Sequence, residues 1–240
     1  MTASPALEAL LVVQGHDTRL DQIRHHLATL PERATREAAA AALTEVQGDI
    51  AAEQAIRDEL ARDQKRLDDE VESLGAKRKG FDTKLYSGTV SNPRELQDLQ
   101  EEIDALGRRI TVLEDRELTI MEKVEPVEAG LATLTATLAT RTGALADAEV
   151  ALTAAEAESA TDLEHELALR ATAAEVVPDD LLDHYGKLRV GLGGVGVARL
   201  VGTQCGGCHL TLSAMEASRL RKAPDDEVAH CEECGRILVP

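Results

Sequence analysis

The sequence has almost no aromatic residues and no long apolar run. Its 240 residues include one Phe, two Tyr and no Trp. An ordinary large globular core is therefore excluded, because aromatic rings normally supply much of the buried area of such a core. No apolar stretch approaches the roughly 18 residues that a membrane-spanning helix needs. The short apolar patch at 9–13 follows no basic segment, so we expect no signal peptide and a cytoplasmic protein.

The chain is instead rich in Ala, Leu, Glu, Asp and Arg, and its formal net charge is −18. This composition is typical of long helices. A chain with so high a net charge can also be disordered. The regular spacing of Leu, Ile and Val argues for helices.

Apolar residues recur at the alternating three- and four-residue spacing of a coiled coil in two stretches. In the first, residues 43–81, eight of the 12 seam positions are apolar. In the second, residues 99–138, eleven of 12 are apolar, which is the stronger signal. The polar seam positions are Glu53, Arg57, Gln64 and Arg78 in the first stretch and Glu117 in the second.

Signals for a helix end and a helix start lie between these two stretches. Gly88 can end the first helix. Asn92 is a good N-cap, Pro93 suits the first helical position, and Glu95 completes a capping box. Two helices joined by so short a loop form an α-hairpin.

We therefore predict a mainly α protein with a long antiparallel coiled-coil hairpin. The predicted bounds are 1–177 for the hairpin domain, about 5–85 and 94–175 for its arms, and about 86–93 for its tip. Each arm would be about 120 Å long at 1.5 Å per residue. Pro31 and Pro126 lie inside the arms, and we expect them to kink or interrupt the helices, giving two or more helical pieces per arm.

All the cysteines lie near the C-terminus, in two C-x-x-C pairs separated by 22 residues. They are Cys205, Cys208, Cys231 and Cys234. Four thiolates on two tight turns suit a tetrahedral Zn²⁺ ion and leave it no open position, so we predict one structural Zn²⁺. A redox pair is the alternative, but it needs a βαβ unit that the pattern lacks. A reducing cytoplasm disfavours disulfides. His209 and His230 adjoin the cysteine pairs and are alternative ligands, but with four cysteines available we expect them to lie beside the ligands or to be exposed.

Residues 178–240 are predicted to form a small C4 zinc-ribbon domain with a short leading helix. The expected order is a strand at 195–201, the first cysteine pair, a short helix to about Lys222, the second pair and a strand at 235–239. The glycines of Gly191–Gly196 match G-x-G-x-x-G, but a dinucleotide site needs a strand before and a helix after that motif. We interpret them as the hairpin that leads into the ribbon.

The predicted tip is basic in an acidic chain. Residues 77–94 carry five cations and one acid, a formal charge of +4, and two of the three aromatic residues. Such a surface suits nucleic-acid phosphates or an acidic protein face. A solvated helix end whose cations suit the helix dipole is the simpler alternative. The candidate partner-binding residues are Lys77, Arg78, Lys79, Phe81, Lys84, Tyr86, Asn92 and Arg94.

Two segments resemble a known bacterial family. They are Leu85–Gln100 and the ribbon from Cys205 through Leu238, which contains both cysteine pairs. The family contains coiled-coil hairpin proteins with a C-terminal C4-type zinc ribbon, a domain of unknown function that includes flagellar zinc-ribbon regulators. The resemblance implies an elongated adaptor with no enzymatic activity and a structural Zn²⁺ on the four cysteines. Some members look like binders of RNA-polymerase sigma factors, secretion-apparatus proteins or mRNA.

The sequence thus predicts a non-enzymatic zinc-binding adaptor that docks transcription- or secretion-related protein partners through its ribbon and its hairpin tip. The alternative is a regulator that binds RNA or DNA through the same two regions. An enzyme built on the metal is disfavoured, because no catalytic His, Ser or carboxylate cluster has a usable spacing. We expect no membrane contact, and either a monomer with an intramolecular coiled coil or a homodimer.

Overall fold

The computed structural model describes residues 4–222, 224 and 227–240. Its elements are α1 (Pro5–Ala28), α2 (Pro31–Tyr86), α3 (Pro93–Ala174), α4 (Asp179–Gly191), β1 (Val197–Val201), β2 (Gln204–Cys205), α5 (Ala214–Lys222) and β3 (Ile237–Val239). The predicted fold class, a long antiparallel helical hairpin followed by a small ribbon, is confirmed. None of the helices in these described ranges combines the length and the apolar character needed to cross a membrane.

The two prolines inside the arms have different effects. Pro31 begins α2 after a break that follows α1, so the first arm consists of two helices. Pro126 lies inside α3, which continues through it for 82 residues. The expectation of two helical pieces in the second arm is therefore wrong. Seam burial of Val124 and Val127 on both sides of the proline offsets the local loss of about 3 kcal/mol.

The chain divides into two compact units, which we call the hairpin unit (Arg36–Ala148) and the terminal unit (Met1–Thr35 with Glu149–Pro240). In the hairpin unit α2 and α3 run antiparallel. Lys84 pairs with Glu95 at 3.0 Å, and Glu70 pairs with Arg109 at 3.0 Å. Every apolar seam position of both stretches is buried or half-buried, so the predicted heptads do form the interface of the two helices.

Polar seam residues of α2 are accommodated by small or polar residues of α3. The Arg78 guanidinium lies beside Gly107, and the Glu53 carboxylate lies beside Gly130. A Cβ at Gly130 would lie 3.2 Å from Glu53 Oε1, closer than an ordinary contact, whereas a Cβ at Gly107 would lie 3.7 Å from Arg78 Cζ, an ordinary contact. Asp68 and Gln64 both hydrogen-bond Glu117, and the bond to Asp68 is the main cause that raises the pKa of Glu117.

The terminal unit contains a three-stranded sheet in the order β2-β1-β3. β1 pairs antiparallel with β2 and parallel with β3. One side of β1 and β3 packs with α1 and α4 in a core of Leu7, Leu10, Val13, Val177, Leu181, Tyr185, Val197, Ile237 and Val239. The other side packs with α5 in a smaller core of Ala198, Leu200, Cys205, Leu212, Ala217, Leu220, Cys231 and Leu238. The ribbon is thus attached to the first helix of the chain.

The glycine-rich segment joins α4 to β1 through close backbone packing. Gln14 of α1 donates its amide N–H to the Gly194 carbonyl at 2.9 Å and accepts the Gly196 N–H at 2.8 Å. A Cβ at Gly196 would lie 2.9 Å from the Tyr185 carbonyl oxygen and 3.0 Å from the Arg189 nitrogen. The G-x-G-x-x-G segment lies between the helix α4 and the strand β1 and forms a turn packed against α4, not the predicted hairpin.

Replacement of Gly196 by Ala is expected to lower the free energy of unfolding by about 1–3 kcal/mol, because the new methyl group would meet backbone atoms that cannot yield easily. Gly186→Ala in α4 is the matched control, since a Cβ there has no atom within 4 Å. It should raise stability by about 0.5–1 kcal/mol through helix propensity. Urea unfolding of both variants measures the difference, and equal stabilities would contradict the packing argument.

Candidate functional site

The two cysteine pairs lie on turns of the same construction. In the first, the His209 N–H donates to the Cys205 carbonyl at 2.8 Å; in the second, the Gly235 N–H donates to the Cys231 carbonyl at 2.8 Å. The closing residue has a positive φ in both turns, 64° at His209 and 74° at Gly235. This left-handed conformation favours Gly and tolerates His, and it turns both thiols of each pair to the same side.

The four thiols converge on one point. All four Sγ atoms lie within 4.8 Å of one another. Cys205 Sγ is 3.9 Å from Cys234 Sγ, and Cys208 Sγ is 4.0 Å from Cys231 Sγ. Zn–S bonds of about 2.3 Å in a tetrahedron put the sulfurs about 3.8 Å apart, which fits these distances. A disulfide needs about 2.05 Å, and all four cysteines are free.

The thiols differ in how readily they ionise without a metal. Burial raises the pKa of Cys231 to about 12. Burial would also raise the pKa of Cys234, but hydrogen bonds from the backbone and side chain of Arg236 outweigh it and lower that pKa to about 7. A metal ion that binds here must displace the protons of those thiols that are not already ionised. The affinity of the site for metal therefore depends on pH.

Arg236 was not singled out as a site residue by sequence reasoning. Besides bonding Cys234, its side chain donates to the carbonyls of Val195 at 3.0 Å and Leu192 at 2.9 Å. It passes over Gly207, where a Cβ would lie 2.4 Å from its Cδ. One guanidinium therefore links the second cysteine turn to the glycine-rich segment and places positive charge beside a thiolate.

The two histidines next to the cysteine pairs have other roles. His209 is exposed and holds the left-handed position of its turn. The His230 Nε2 lies 2.9 Å from the Nε2 of His184 in α4, with the rings edge-on. Burial, followed by the neighbouring His184, lowers the pKa of His230. Among the described residues, the group that could hold a metal consists of the four cysteines.

The candidate tip residues fall into two groups: those whose side chains make contacts within the chain, and those that are exposed without such contacts, called open below. Asn92 caps α3, where its Oδ1 accepts the Arg94 N–H at 3.0 Å. Phe81 is half-buried in the seam, Arg78 lies beside Gly107, and Lys84 pairs with Glu95. The open positions are Lys77, Lys79, Tyr86 and Arg94. Tyr86 is 81% exposed at the last position of α2.

The basic residues of the ribbon are largely engaged within the chain. Arg199 pairs with Glu8, and Arg219 pairs with Glu232 at 3.4 Å. Arg221 donates to the Gly202 carbonyl, and Arg236 donates to the two carbonyls named above. These contacts hold the ribbon to itself and to α1, and acidic partners neutralise two of the four cations, Arg199 and Arg219.

A buried charged cluster beneath the ribbon is a second feature that sequence reasoning missed. Asp17 of α1 accepts the Arg170 Nε–H at 2.6 Å and the Tyr185 hydroxyl at 2.7 Å. Arg189 donates to the Asp17 backbone carbonyl at 3.3 Å and also binds Asp21. Asp17 occupies an apolar-face position of α1 between Val13 and Leu20, which was the available signal. Its partners lie more than 150 residues away.

Family models cover most of the chain. Residues 13–193 match the CT398-like coiled coil hairpin domain, and residues 204–238 match the C4-type zinc ribbon domain. The second match and the four clustered thiols show one structural Zn²⁺ as the cofactor of the ribbon. Both descriptions are those of structural or binding domains, and neither names a catalytic activity.

Relatives match over almost the whole length. The protein Rv2229c of Mycobacterium tuberculosis is 30% identical over 231 residues, which are 96% of this chain and 94% of that protein. The protein ML1638 of Mycobacterium leprae is 27% identical over 222 residues, 92% of this chain and 94% of that protein. Both carry the description uncharacterized.

Two solved structures have the same fold. A structure from Mycobacterium smegmatis superposes with a TM-score of 0.87 at 25% identity, covering all of both chains. CT398 from Chlamydia trachomatis superposes with a TM-score of 0.69 at 19% identity, covering 97% of this chain and 96% of that one. The resemblance inferred from the tip and the cysteine pairs is confirmed: the chain belongs to the family of CT398-like coiled coil hairpin proteins, with a C4-type zinc ribbon at its C-terminal end.

Proposed function

We propose that this protein is a non-enzymatic adaptor that docks protein partners, transcription- or secretion-related, through its zinc ribbon and its hairpin tip. The observation that carries the proposal is the 81% exposure of Tyr86 at the last position of α2, with Arg94 exposed near the start of α3. Tyr and Arg are enriched among the residues that dominate binding energy at protein interfaces. A helix end also holds such residues in place before binding, which lowers the entropic cost of docking.

The metal has a structural part in this proposal. Cys205, Cys208, Cys231 and Cys234 are the proposed ligands of the ion, which organises a core too small to fold alone. Four sulfur ligands leave no position for a substrate or an activated water. A cytoplasmic location belongs to the same proposal, because reducing conditions keep the thiols available for metal.

Nucleic-acid binding is the competing function, and the basic tip is the feature that favours it. The ribbon supports it less, because Arg199, Arg219, Arg221 and Arg236 are engaged within the chain. A nucleic-acid-binding face usually presents a cluster of open cations. We therefore give the tip, and not the ribbon, the main role in any contact with an anionic partner.

Affinity purification of the full chain from its own cells tests the adaptor function. Four forms are compared: the wild type, the tip variant Lys77→Glu/Lys79→Glu/Arg94→Glu, the ribbon variant Cys208→Ser, and a charge-matched control. The control is Arg62→Glu/Arg108→Glu/Lys123→Glu, which changes the same number of exposed cations on the hairpin unit outside the tip. Each sample is divided and treated with or without nuclease.

An adaptor should retain a defined set of proteins after nuclease treatment. One subset should be lost with the tip variant, another with Cys208→Ser, and neither with the control. If the co-purifying proteins all disappear on nuclease treatment, the nucleic-acid alternative holds. If the four forms retain the same proteins, neither region is a docking site and the adaptor function is wrong.

A further inference from the structure

One side chain, Arg236, attaches the second cysteine turn to the segment between α4 and β1. Its Nε–H donates to the Val195 carbonyl at 3.0 Å, and its Nη2 donates to the Leu192 carbonyl at 2.9 Å. The backbone carbonyl of Arg236 accepts the Cys231 N–H at 2.9 Å, which closes the base of the turn. A half-buried arginine thus connects a metal-binding turn to backbone outside it.

The segment 192–196, to which Arg236 donates, is fixed by contacts that do not involve the cysteines. The Gly194 N–H donates to a carbonyl of α4 at 2.9 Å, and the Gly196 carbonyl accepts an N–H of β3 at 2.9 Å. Gln14 of α1 binds both glycines through its side-chain amide and is 7% exposed. The two carbonyls that receive the guanidinium therefore belong to a firmly held segment, which can support the second turn.

The same guanidinium lies beside the metal-binding sulfurs and hydrogen-bonds Cys234. Four thiolates around one Zn²⁺ leave an excess of negative charge. Cys205 and Cys231 are buried, and Cys208 and Cys234 are half-buried, so water screens this charge incompletely. A fixed cation beside these sulfurs favours the metal-loaded site, because groups that bond to metal ligands orient them and tune their affinity.

The first cysteine turn leaves room for the arginine at Gly207. A Cβ at Gly207 would lie 2.4 Å from Arg236 Cδ and 3.1 Å from its Nε. The Gly207 N–H also donates to Cys205 Sγ at 3.4 Å. Gly207 does not have a positive φ, so its lack of a side chain matters here for space and not for backbone conformation. Arg236 therefore contacts both cysteine turns.

We propose that Arg236 is a positioning residue for the zinc ion, which joins both cysteine turns to the backbone of 192–196 and so holds the four sulfurs in the geometry that the metal requires. Loss of this support should weaken zinc binding about 10–100-fold, as is typical of groups that orient metal ligands. The role concerns the metal centre and is independent of the docking function proposed above.

The test measures the dissociation constant of zinc from the full chain by competition with a chromophoric chelator. Arg236→Met should weaken binding about 10–100-fold. Arg236→Lys should recover only a small part of that loss, because an ammonium group lacks the planar fork of donors. Arg219→Met is the matched control: it removes the same charge near the same turn, where Arg219 forms an exposed ion pair with Glu232 at 3.4 Å.

The control should bind zinc within about twofold of the wild type, as expected for the loss of an exposed ion pair. If Arg219→Met weakens binding as much as Arg236→Met does, the effect is one of net charge and the inference is wrong. Full recovery of zinc affinity in Arg236→Lys would lead to the same conclusion.

Gly207→Ala tests the contact between the turns without removing a charge. In the wild type the new methyl group should displace the arginine and weaken zinc binding about tenfold. In an Arg236→Ala background, which has no Cδ to displace, the same change should cost no more than about threefold, since only the contact with Ala198 Cβ at 3.2 Å remains. Equal effects in the two backgrounds would overturn the inference.

Cobalt in place of zinc distinguishes a positioning role from a general contribution to folding. Wild type, Arg236→Met and Arg219→Met are saturated with Co²⁺, and a tetrahedral d–d spectrum shows that the site has formed. Loss of the guanidinium leaves more electron density on the Cys234 sulfur, so the thiolate-to-cobalt charge-transfer band of Arg236→Met should move to longer wavelength. The band of Arg219→Met should stay at the wild-type position. Identical bands in wild type and Arg236→Met would show that Arg236 contributes to folding alone and would overturn the inference.

Discussion

Removal of zinc will unfold the ribbon core around the four cysteines and leave the long helices intact. That core contains four leucines, two alanines, Cys205 and Cys231, and so few residues cannot form a stable core without a metal. Structural zinc contributes about 10–16 kcal/mol of apparent binding free energy in zinc-finger peptides at neutral pH. The opposite side of β1 and β3 packs with α1 and α4, so these two strands should keep part of their protection.

Hydrogen exchange before and after chelation measures this result. Amides between β1 and β3, including α5, should exchange rapidly once the metal is removed. Amides of α1, α2 and α3 should remain protected. The loss of helical circular dichroism signal should be limited to the nine residues of α5 and part of α4. A collapse of the whole helical signal would contradict the argument.

Single substitutions identify the ligands in the same experiment. Cys208→Ser should remove the bound zinc and reproduce the exchange pattern of the chelated protein. His209→Asn is the matched control, because Asn tolerates the positive φ of 64° at that position. It should keep one zinc per chain by metal analysis. Loss of zinc from His209→Asn would show that the histidine takes part in binding.

The sequence predicted the features that depend on local pattern. The heptads of α2 and α3 were predictable because the buried positions of a coiled coil repeat at a fixed spacing. The apolar residues at those positions are buried or half-buried in the structure. The N-cap at Asn92 and the interruption of the first arm at Pro31 were also local signals. The continuity of α3 through Pro126 was not predictable in this way, because it depends on seam contacts with α2 and not on the proline itself.

The attachment of the ribbon to the N-terminal helix could not be predicted from pattern. Glu8 binds Arg199, Gln14 binds Gly196, and Asp17 binds Arg170, at separations of 153 to 191 residues. No periodicity or short motif encodes such contacts, because each depends on the completed fold of the terminal unit. The sequence could show that α1 has an apolar face, but not that this face would cover the sheet of the ribbon.

Substitution of Asp17 by Ala will strongly destabilise the terminal unit. Asp17 is 4% exposed, and its carboxylate accepts hydrogen bonds from both Arg170 and Tyr185. Its removal leaves a half-buried guanidinium and a buried hydroxyl without their partner. Breaking a buried pair in this way lowers the free energy of unfolding by about 3–5 kcal/mol. Urea unfolding followed at the terminal unit measures the loss.

Asp21 provides the matched control on the same helix. Its side chain is 46% exposed and pairs with Arg189 and Arg24 near the surface. Asp21→Asn should lower the free energy of unfolding by no more than about 1 kcal/mol, as for exposed ion pairs. Equal effects of Asp17→Ala and Asp21→Asn would mean that the buried cluster does not hold α1 in place.

The pH dependence of Asp17→Asn gives a separate test of the same cluster. Burial opposes ionisation of Asp17, but the hydrogen bonds from Arg170 and Tyr185 outweigh it and hold its pKa below the ordinary value of 3.8. A carboxyl group with a lowered pKa in the folded state stabilises the protein above its unfolded pKa, and this contribution is lost as the pH falls through the folded value. The difference in unfolding free energy between the wild type and Asp17→Asn should therefore be constant from pH 7 to about pH 5 and shrink below about pH 4. A difference that stays the same down to pH 2 would show that shape, and not the charge of Asp17, stabilises the junction of α1, α3 and α4.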